Sequence, residues 1–229
     1  MKRVLIMATA LALTATTATT AALAQNTGDW ANYGRYADAN AALKATGVRP
    51  DIVFMGNSIT DGWASQHPEF FAGNNFVGRG IGGQVTAQML ARFRADVIDL
   101  SPRMVVILAG TNDIAQNQGF VSIENIAANI FSMADLARAN GIEVVLCSVL
   151  PAAEYPWRPE IADVPSKVRA LNALLREWAE ANGCRYVDYF SPMADERGGL
   201  PKSLAADGIH PTGAGYDMME SIIKPTLRP

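Results

Sequence analysis

Three side chains in this sequence could act together as a nucleophile, a base and the group that orients the base. Ser58 follows an apolar run in MGNSITDGW, and Asp207 and His210 lie three residues apart in DGIHPTGAGY. A serine after a strand is most often a helix N-cap, and an isolated Asp-x-x-His pair is often only a local turn. A carboxylate at this spacing can also accept from one imidazole nitrogen and leave the other facing a hydroxyl, the arrangement used in acyl transfer. Ser58, Asp207 and His210 are therefore the candidate catalytic residues.

A glycine-rich segment, GRGIGG at residues 78–83, allows two interpretations. It satisfies G-x-G-x-x-G, but the dinucleotide-binding fingerprint also requires an acidic residue about 20 positions on, at the end of the next strand. The first acidic residue past that strand is Asp113, 30 positions beyond Gly83, so nicotinamide binding is disfavoured. The alternative is that the glycines leave backbone N–H groups bare, where they stabilise developing negative charge. Asn112 could offer its amide to the same charge, although Thr-Asn-Asp after a strand is also ordinary turn chemistry.

Apolar runs rich in β-branched residues alternate with segments of helical period. The runs predict five strands, at 51–56, 74–80, 104–110, 142–150 and 185–190. Apolar residues spaced by three and four predict helices at 86–100, 122–141 and 166–183, the last with Ser166 as its N-cap. This alternation is typical of an α/β fold with a parallel sheet covered by helices on both faces. The stretch 151–165 contains four prolines and is predicted to be a functional loop.

Each candidate residue follows the end of a predicted strand, and this position places all of them at one edge of the sheet. The carboxyl ends of parallel strands meet at a single edge, which is where such folds bind ligands. Ser58 follows the first strand, Gly83 the second, Asn112 the third, and Asp207 and His210 the fifth. The proline-rich loop follows the fourth strand and should overhang the same place. The sequence therefore predicts one site, at this edge.

The N-terminus has the layout of a secretory signal peptide. Lys2 and Arg3 precede a short apolar stretch that ends in Ala-x-Ala at residues 22–24. We expect residues 1–24 to be removed and residues 25–229 to form a single domain that is periplasmic or secreted. The apolar stretch is too short to span a bilayer, and no later run of about 18 apolar residues follows, so stable membrane insertion is not expected. The formal net charge of −3, without a basic run, gives no electrostatic reason to bind nucleic acid.

Cysteine and histidine are too sparse to suggest a framework of disulfides or a metal centre. Cys147 lies inside an apolar run and Cys184 directly precedes the fifth predicted strand. Export would permit a disulfide, but number and spacing favour two buried free thiols. The two histidines, His67 and His210, lack metal-ligand spacing, so no metal site is expected. His67 also lacks an acidic partner in the sequence and is predicted to be a surface or loop residue.

Four segments, GNSITDGW, GIGG, GTND and DGIH, occur in the order and approximate spacing of the four sequence blocks of the SGNH, or GDSL-type, hydrolases. The chain resembles this family over nearly all of its expected mature length. The resemblance implies a flavodoxin-like three-layer αβα sandwich, with a five-stranded parallel sheet of order 2-1-3-4-5 and no cofactor. It also implies that Ser58 is the nucleophile, that His210 is the base oriented by Asp207, and that Gly83, Asn112 and the Ser58 backbone N–H form an oxyanion hole.

The sequence differs from the family pattern at two positions beside these groups. Asn57 stands where the name-giving motif has aspartate, and Gln84 follows the oxyanion glycine where many members have aspartate. Both differences bear on the subfamily and the substrate rather than on the inferred chemical groups.

The expected activity is hydrolysis of carboxylic esters through an acyl-enzyme, with acetyl esters on a carbohydrate as the favoured substrates. Trp63, Tyr155 and Trp157 are candidate substrate-binding residues, because exposed aromatic side chains beside the site could stack on sugar rings. Alternatively, these aromatics bury the underside of their own loop. Two other activities remain open, namely lysophospholipase or other lipid acylhydrolase activity, and acyl transfer to a second alcohol. A noncatalytic carbohydrate-binding protein is disfavoured because it would not need a serine, an aspartate and a histidine in this combination.

Overall fold

The computed structural model of the protein describes residues 28–228, and the expected signal peptide at 1–24 lies outside them. Within the described part, the centre is a parallel five-stranded sheet of order β2-β1-β3-β4-β5. The strands are β1 (Ile52–Gly56), β2 (Phe76–Gly80), β3 (Met104–Leu108), β4 (Glu143–Cys147) and β5 (Arg185–Val187). The expected flavodoxin-like order is confirmed, and each strand lies inside one of the five predicted runs.

Helices connect the strands and cover both faces of the sheet. They are α1 (Ala37–Ala45), α2 (Ser58–Gln66), α3 (Pro68–Ala72), α4 (Thr86–Asp96), α5 (Thr111–Ile114), α6 (Ile123–Ala139), α7 (Val164–Ala181), α8 (Phe190–Met193) and α9 (Gly213–Leu227). Short 3-10 segments lie at Tyr33–Tyr36 and Ile98–Leu100. The three predicted helices correspond to α4, α6 and α7, with α4 ending before the 3-10 segment rather than running through it.

The start of α7 differs from the prediction. The helix begins at Val164, so Ser166 lies inside it and is not the N-cap. Asp163 occupies the N-cap position with a φ of 54°, and its side chain makes no capping hydrogen bond. Pro165 fits the first turn because the first N–H groups of a helix have no intrahelical partner. The last proline of the predicted loop therefore lies in the first turn of a helix.

The sheet separates two apolar layers, because alternate residues of a strand point to opposite faces. Val53 and Met55 form one core cluster with residues of α4, α6 and α7. Ile52 and Phe54 form the other with residues of α2, α3 and α9. β1 and β3 are buried along their whole length, which is why their sequences are almost continuously apolar. The result is a three-layer αβα sandwich.

Both cysteines are free, as predicted from their number and spacing. Cys147 is buried, as predicted, whereas Cys184 is only half-buried. Burial raises the pKa of both thiols, so neither is activated as a nucleophile. Among residues 28–228, no helix is both long and apolar enough to cross a membrane.

Candidate active site

The side chains of Ser58, His210 and Asp207 form an unbroken chain of hydrogen-bond contacts. Ser58 Oγ lies 2.9 Å from His210 Nε2, and His210 Nδ1 lies 2.7 Å from Asp207 Oδ2. When a carboxylate accepts from Nδ1–H, the neutral imidazole has Nε2 free to accept a proton. The structure therefore brings Ser58 to the Asp207–His210 pair, from which it is about 150 residues away in the sequence, and places the three side chains in the order that acyl transfer needs.

Ser58 is the first residue of α2, directly past the end of β1. The N-cap of this helix is Asn57, whose buried side chain accepts from the backbone N–H of Ile59 at 3.0 Å. The interpretation of Ser58 as the cap is therefore wrong. Because Asn57 supplies the cap, the Ser58 hydroxyl is left to His210.

Two glycines allow the start of α2 to approach the strand ends closely. A Cβ on Gly80 would lie 2.6 Å from the carbonyl oxygen of Asn57, and a Cβ on Gly56 would lie 2.8 Å from the Cβ of Thr60. Any larger residue would push α2 away from β1 and β2. The packing of these glycines therefore sets where the Ser58 hydroxyl stands.

The loop before α9 holds Asp207 and His210 in a fixed relation. Asp207 Oδ1 accepts from the backbone N–H groups of Ile209 and His210, at 2.9 and 2.8 Å, while Oδ2 faces the imidazole. Partial burial raises the pKa of Asp207, but the hydrogen bonds from His210 and Ile209 outweigh it and lower that pKa to about 2. Asp207 is therefore ionised at neutral pH and keeps the proton of His210 on Nδ1.

Gly83 and Asn112, the other two predicted oxyanion donors, are connected to each other through Gln84, which directly follows Gly83. Gly83 has a φ of 75°, in the left-handed region that favours glycine, and a Cβ on its neighbour Gly82 would lie 3.9 Å from the Cβ of Ser58. The buried Asn112 side chain donates through Nδ2 to the carbonyl of Gln84 at 2.9 Å. An amide nitrogen carries two hydrogens, so one such contact leaves a second donor.

Asp113, which the sequence indicates as a turn residue and as the first acidic residue past the third strand, holds the start of α4 in place. Its buried carboxylate accepts from the backbone N–H of Thr86 at 3.0 Å and from the Thr86 hydroxyl at 2.6 Å. Burial raises the pKa of Asp113 to about 6, although the hydrogen bonds from Thr86 lower it. The residue thereby anchors the segment that directly follows Gly83 and Gln84.

The three candidate substrate-binding aromatics have different surroundings. Trp63 is 1% exposed and Tyr155 is fully buried, so the prediction that they stack on substrate is wrong. Tyr155 packs under its own loop, and its hydroxyl lies 3.1 Å from Thr111 Oγ1. Trp157 is 41% exposed, and its Nε1 donates to Asn117 Oδ1 at 2.9 Å. Of the three, only Trp157 is exposed.

Trp63 is buried because it lies on the core side of α2. It lies five positions after Ser58, which is a rotation of about 140° around a helix that advances 100° per residue. Its ring stacks between Phe70 and Tyr216, with ring centres 5.2 and 6.0 Å away, and its Nε1 donates to Glu220 at 3.3 Å. Proximity to Ser58 in sequence therefore did not place Trp63 in the site.

His67 lies in the connection between α2 and α3, as its prediction as a surface or loop residue allows, but it does not lie on the surface. It is mostly buried, and its Nδ1 lies 2.8 Å from Glu220 Oε1. Glu220 also accepts from Lys224 at 2.9 Å. His67 directly follows α2 and Glu220 belongs to α9, so this contact holds together the two helices that adjoin Ser58 and His210. Within residues 28–228, no group of three His, Cys, Asp or Glu side chains is placed to bind a metal ion.

The sequence also matches known proteins. The profile of the GDSL-like Lipase/Acylhydrolase family covers residues 54–218, which run from β1 into α9. Esterase TesA of Pseudomonas aeruginosa is 27% identical over 179 residues, covering 76% of this chain and 82% of that protein.

Solved structures agree with this match. A GDSL-like lipase from Bacteroides thetaiotaomicron is 52% identical, with a TM-score of 0.82 over 86% of this chain and 97% of that one. An acetyl xylan esterase from Geobacillus stearothermophilus shares the fold at 18% identity, with a TM-score of 0.61 over 77% of this chain and 93% of that one. The chain thus belongs to the GDSL-like lipase/acylhydrolase family, the SGNH hydrolases, and is a carboxylic ester hydrolase.

Proposed function

We propose that the protein hydrolyses esters by two-step acyl transfer through Ser58. His210 Nε2 takes the hydroxyl proton as Ser58 Oγ attacks the ester carbonyl carbon, and Asp207 stabilises the imidazolium. The tetrahedral oxyanion accepts from the N–H groups of Ser58 and Gly83 and from the Asn112 amide. Collapse expels the alcohol, which takes the proton from His210, and leaves the acyl group on Ser58. Water, deprotonated by His210, then attacks the acyl-enzyme and releases the acid.

The observation that carries this proposal is the pair of contacts of 2.9 and 2.7 Å that joins Ser58 to His210 and His210 to Asp207. It is tested with p-nitrophenyl acetate and the variant Ser58→Ala. The matched control is Ser65→Ala, because Ser65 is an exposed serine on the same helix whose hydroxyl donates only to the carbonyl of Gly62. We expect loss of turnover by Ser58→Ala of at least about a thousandfold, and parent activity in the control. Parent-like activity of a folded Ser58→Ala protein would contradict the proposal.

For the substrate, we propose short acyl groups, above all acetyl, on a carbohydrate alcohol. Exposed Trp157 supports this proposal, because the hydrogen bond to Asn117 fixes its indole edge and leaves surface on which a sugar ring could stack. A cavity of about 150 Å³ adjoins Asp207, and its wall includes the charged side chains of Glu154, Arg197 and Lys202. Such a wall suits a leaving group rich in hydroxyls better than a hydrocarbon chain.

A second candidate is hydrolysis of lipid esters. Phe120 is 77% exposed and lies three residues beyond Asn117, the partner of Trp157. A large apolar side chain that is exposed near a site can contact an acyl chain.

The two substrate classes are separated by comparing acetate release from acetylated xylan with fatty-acid release from lysophospholipid. The carbohydrate proposal predicts the higher kcat/KM on acetylated xylan. It also predicts that Trp157→Ala lowers kcat/KM on this polymer about tenfold, the effect of losing one stacking contact, while turnover of p-nitrophenyl acetate stays unchanged. Phe120→Ala is the matched control and should leave xylan deacetylation unchanged. Faster lysophospholipid hydrolysis that falls in Phe120→Ala would establish the lipid alternative instead.

A further inference from the structure

Arg92, on α4, is a fully buried charged residue whose guanidinium reaches the ends of two strands. Its Nη2 donates to the carbonyls of Gly56 and Arg79, at 3.1 and 3.0 Å. Its Nη1 donates to Asp96 at 2.8 Å, and its Nε donates to Gln84 Oε1 at 2.6 Å. Four of its five N–H donors are thus paired, as a buried charge requires, so each of these partners is held firmly in place.

Gln84 is the partner of Arg92 that lies in the site. It is 4% exposed, and its Nε2 donates to the carbonyl of Ala31 at 2.8 Å while Oε1 accepts from Arg92. Both ends of the side chain are therefore fixed. Its backbone carbonyl accepts from the Asn112 side chain at 2.9 Å, and the residue directly follows Gly83. A displacement of Gln84 would therefore move both of these oxyanion donors.

The third oxyanion donor, the backbone N–H of Ser58, is connected to the Arg92 guanidinium through Gly56. Gly56, whose carbonyl accepts from Arg92, lies two residues before Ser58 at the turn from β1 into α2. The carbonyl of Gly56 also accepts from the backbone N–H of Ile81 at 3.2 Å. Arg92 thus joins the segment that presents the Ser58 N–H to the segment that presents the Gly83 N–H.

We propose that Arg92 and Gln84 are positioning residues that set the distances among the three donors to the oxyanion. This inference rests on the oxyanion role proposed above for Ser58, Gly83 and Asn112. A donor that is displaced by a fraction of an ångström still permits substrate binding but stabilises the tetrahedral oxyanion less. Substitution of Arg92 or Gln84 should therefore lower kcat and leave KM nearly unchanged.

The test uses Gln84→Met in the full-length protein. Methionine has a similar length and volume but removes both side-chain hydrogen bonds of Gln84. The matched control is Gln88→Met, because Gln88 is a buried glutamine on α4 that also makes two hydrogen bonds, to Trp30 and Val85, and none to Arg92. Comparing the Tm values of the two variants shows how far each substitution perturbs the fold.

We expect Gln84→Met to lower kcat for p-nitrophenyl acetate by about ten- to a hundredfold with KM changed less than about twofold. The inhibition constant of a boronic acid, which forms a tetrahedral adduct with the serine, should rise in proportion. Gln84→Glu keeps an oxygen for Arg92, so its kcat should lie between those of the parent and Gln84→Met. Gln88→Met should lower the Tm without this loss of kcat.

Two results would overturn the positioning role. One is a kcat of Gln84→Met that equals that of Gln88→Met. The other is a kcat of Gln84→Glu that falls below that of Gln84→Met. If Ser58→Ala is inactive while either result is found, the inference fails and the proposed function stands. If Ser58→Ala retains parent activity, the proposed function itself fails.

Discussion

Replacing Asp113 with asparagine should change how the stability of the protein depends on pH. The carboxyl of Asp113 is buried beneath the start of α4, and burial raises its pKa to about 6 against the hydrogen bonds from Thr86. An unfolded aspartate has a pKa of about 4. Between about pH 4 and pH 6 the carboxyl of Asp113 is therefore protonated in the folded protein and ionised in the unfolded chain.

The size of the effect follows from this difference of about two pKa units, which corresponds to about 3 kcal/mol. Because the folded pKa is raised, the stabilisation is fully present below about pH 4 and is lost as pH rises through about 6. Asparagine does not ionise, and its oxygen can still accept from Thr86. At pH 4 about half of the unfolded chains still carry this proton, so the free energy of unfolding of Asp113→Asn, relative to that of the parent, should increase by about 2 kcal/mol between pH 4 and pH 7.

The assay is urea unfolding of parent and variant, followed by circular dichroism at several pH values from 4 to 7. The measured quantity is the difference between the two free energies of unfolding at each pH, with equal m-values required for the comparison. Asp217→Asn, at a carboxylate that is 77% exposed, is the control for the loss of one charge. A difference between Asp113→Asn and the parent that is constant across this range, or that decreases as pH rises, would contradict the raised pKa of Asp113.

Three further substitutions or measurements test other parts of the account. Asn112→Ala should lower kcat by about a hundred- to a thousandfold with little change in KM, as expected for the loss of one oxyanion donor and measurable with p-nitrophenyl acetate. Gly80→Ala should lower the free energy of unfolding by about 1 to 3 kcal/mol, because the added Cβ would lie 2.6 Å from the carbonyl oxygen of Asn57, and parent-like stability in urea would contradict that packing. The proposed export predicts that mass spectrometry of the protein from an exporting host finds the mature chain beginning at Gln25, whereas an intact N-terminus would contradict it.

The strands could be predicted because burial leaves a direct trace in the sequence. β1 and β3 are covered on both faces, so they read as almost uninterrupted apolar runs. Parallel pairing then implies that Ser58, Asn112 and His210 approach one edge of the sheet, without any knowledge of distances. The separation of 2.9 Å between Ser58 and His210 follows from packing that the linear pattern does not contain.

The direction in which an individual side chain points could not be predicted from the pattern of apolar residues. Trp63 follows Ser58 closely in sequence but lies on the core side of α2, against Phe70 and Tyr216. Arg92 reads as a surface residue of α4, because a charged side chain is seldom fully buried unless partners satisfy it. One of those partners, Gly56, is 36 residues away. Only the folded structure shows that the Arg92 guanidinium contacts Gln84 and Gly56, next to the proposed oxyanion donors.

The proposal that Ser58 is the nucleophile is tested most directly by fluorophosphonate labelling followed by peptide mapping. A fluorophosphonate forms a stable bond only with a serine whose proton is removed by a neighbouring base and whose developing oxyanion is stabilised. The catalytic role proposed for Ser58 predicts a single labelled peptide that contains Ser58, with labelling abolished in His210→Ala. Labelling of a different serine, or labelling of Ser58 at the parent rate in a folded His210→Ala protein, would contradict it.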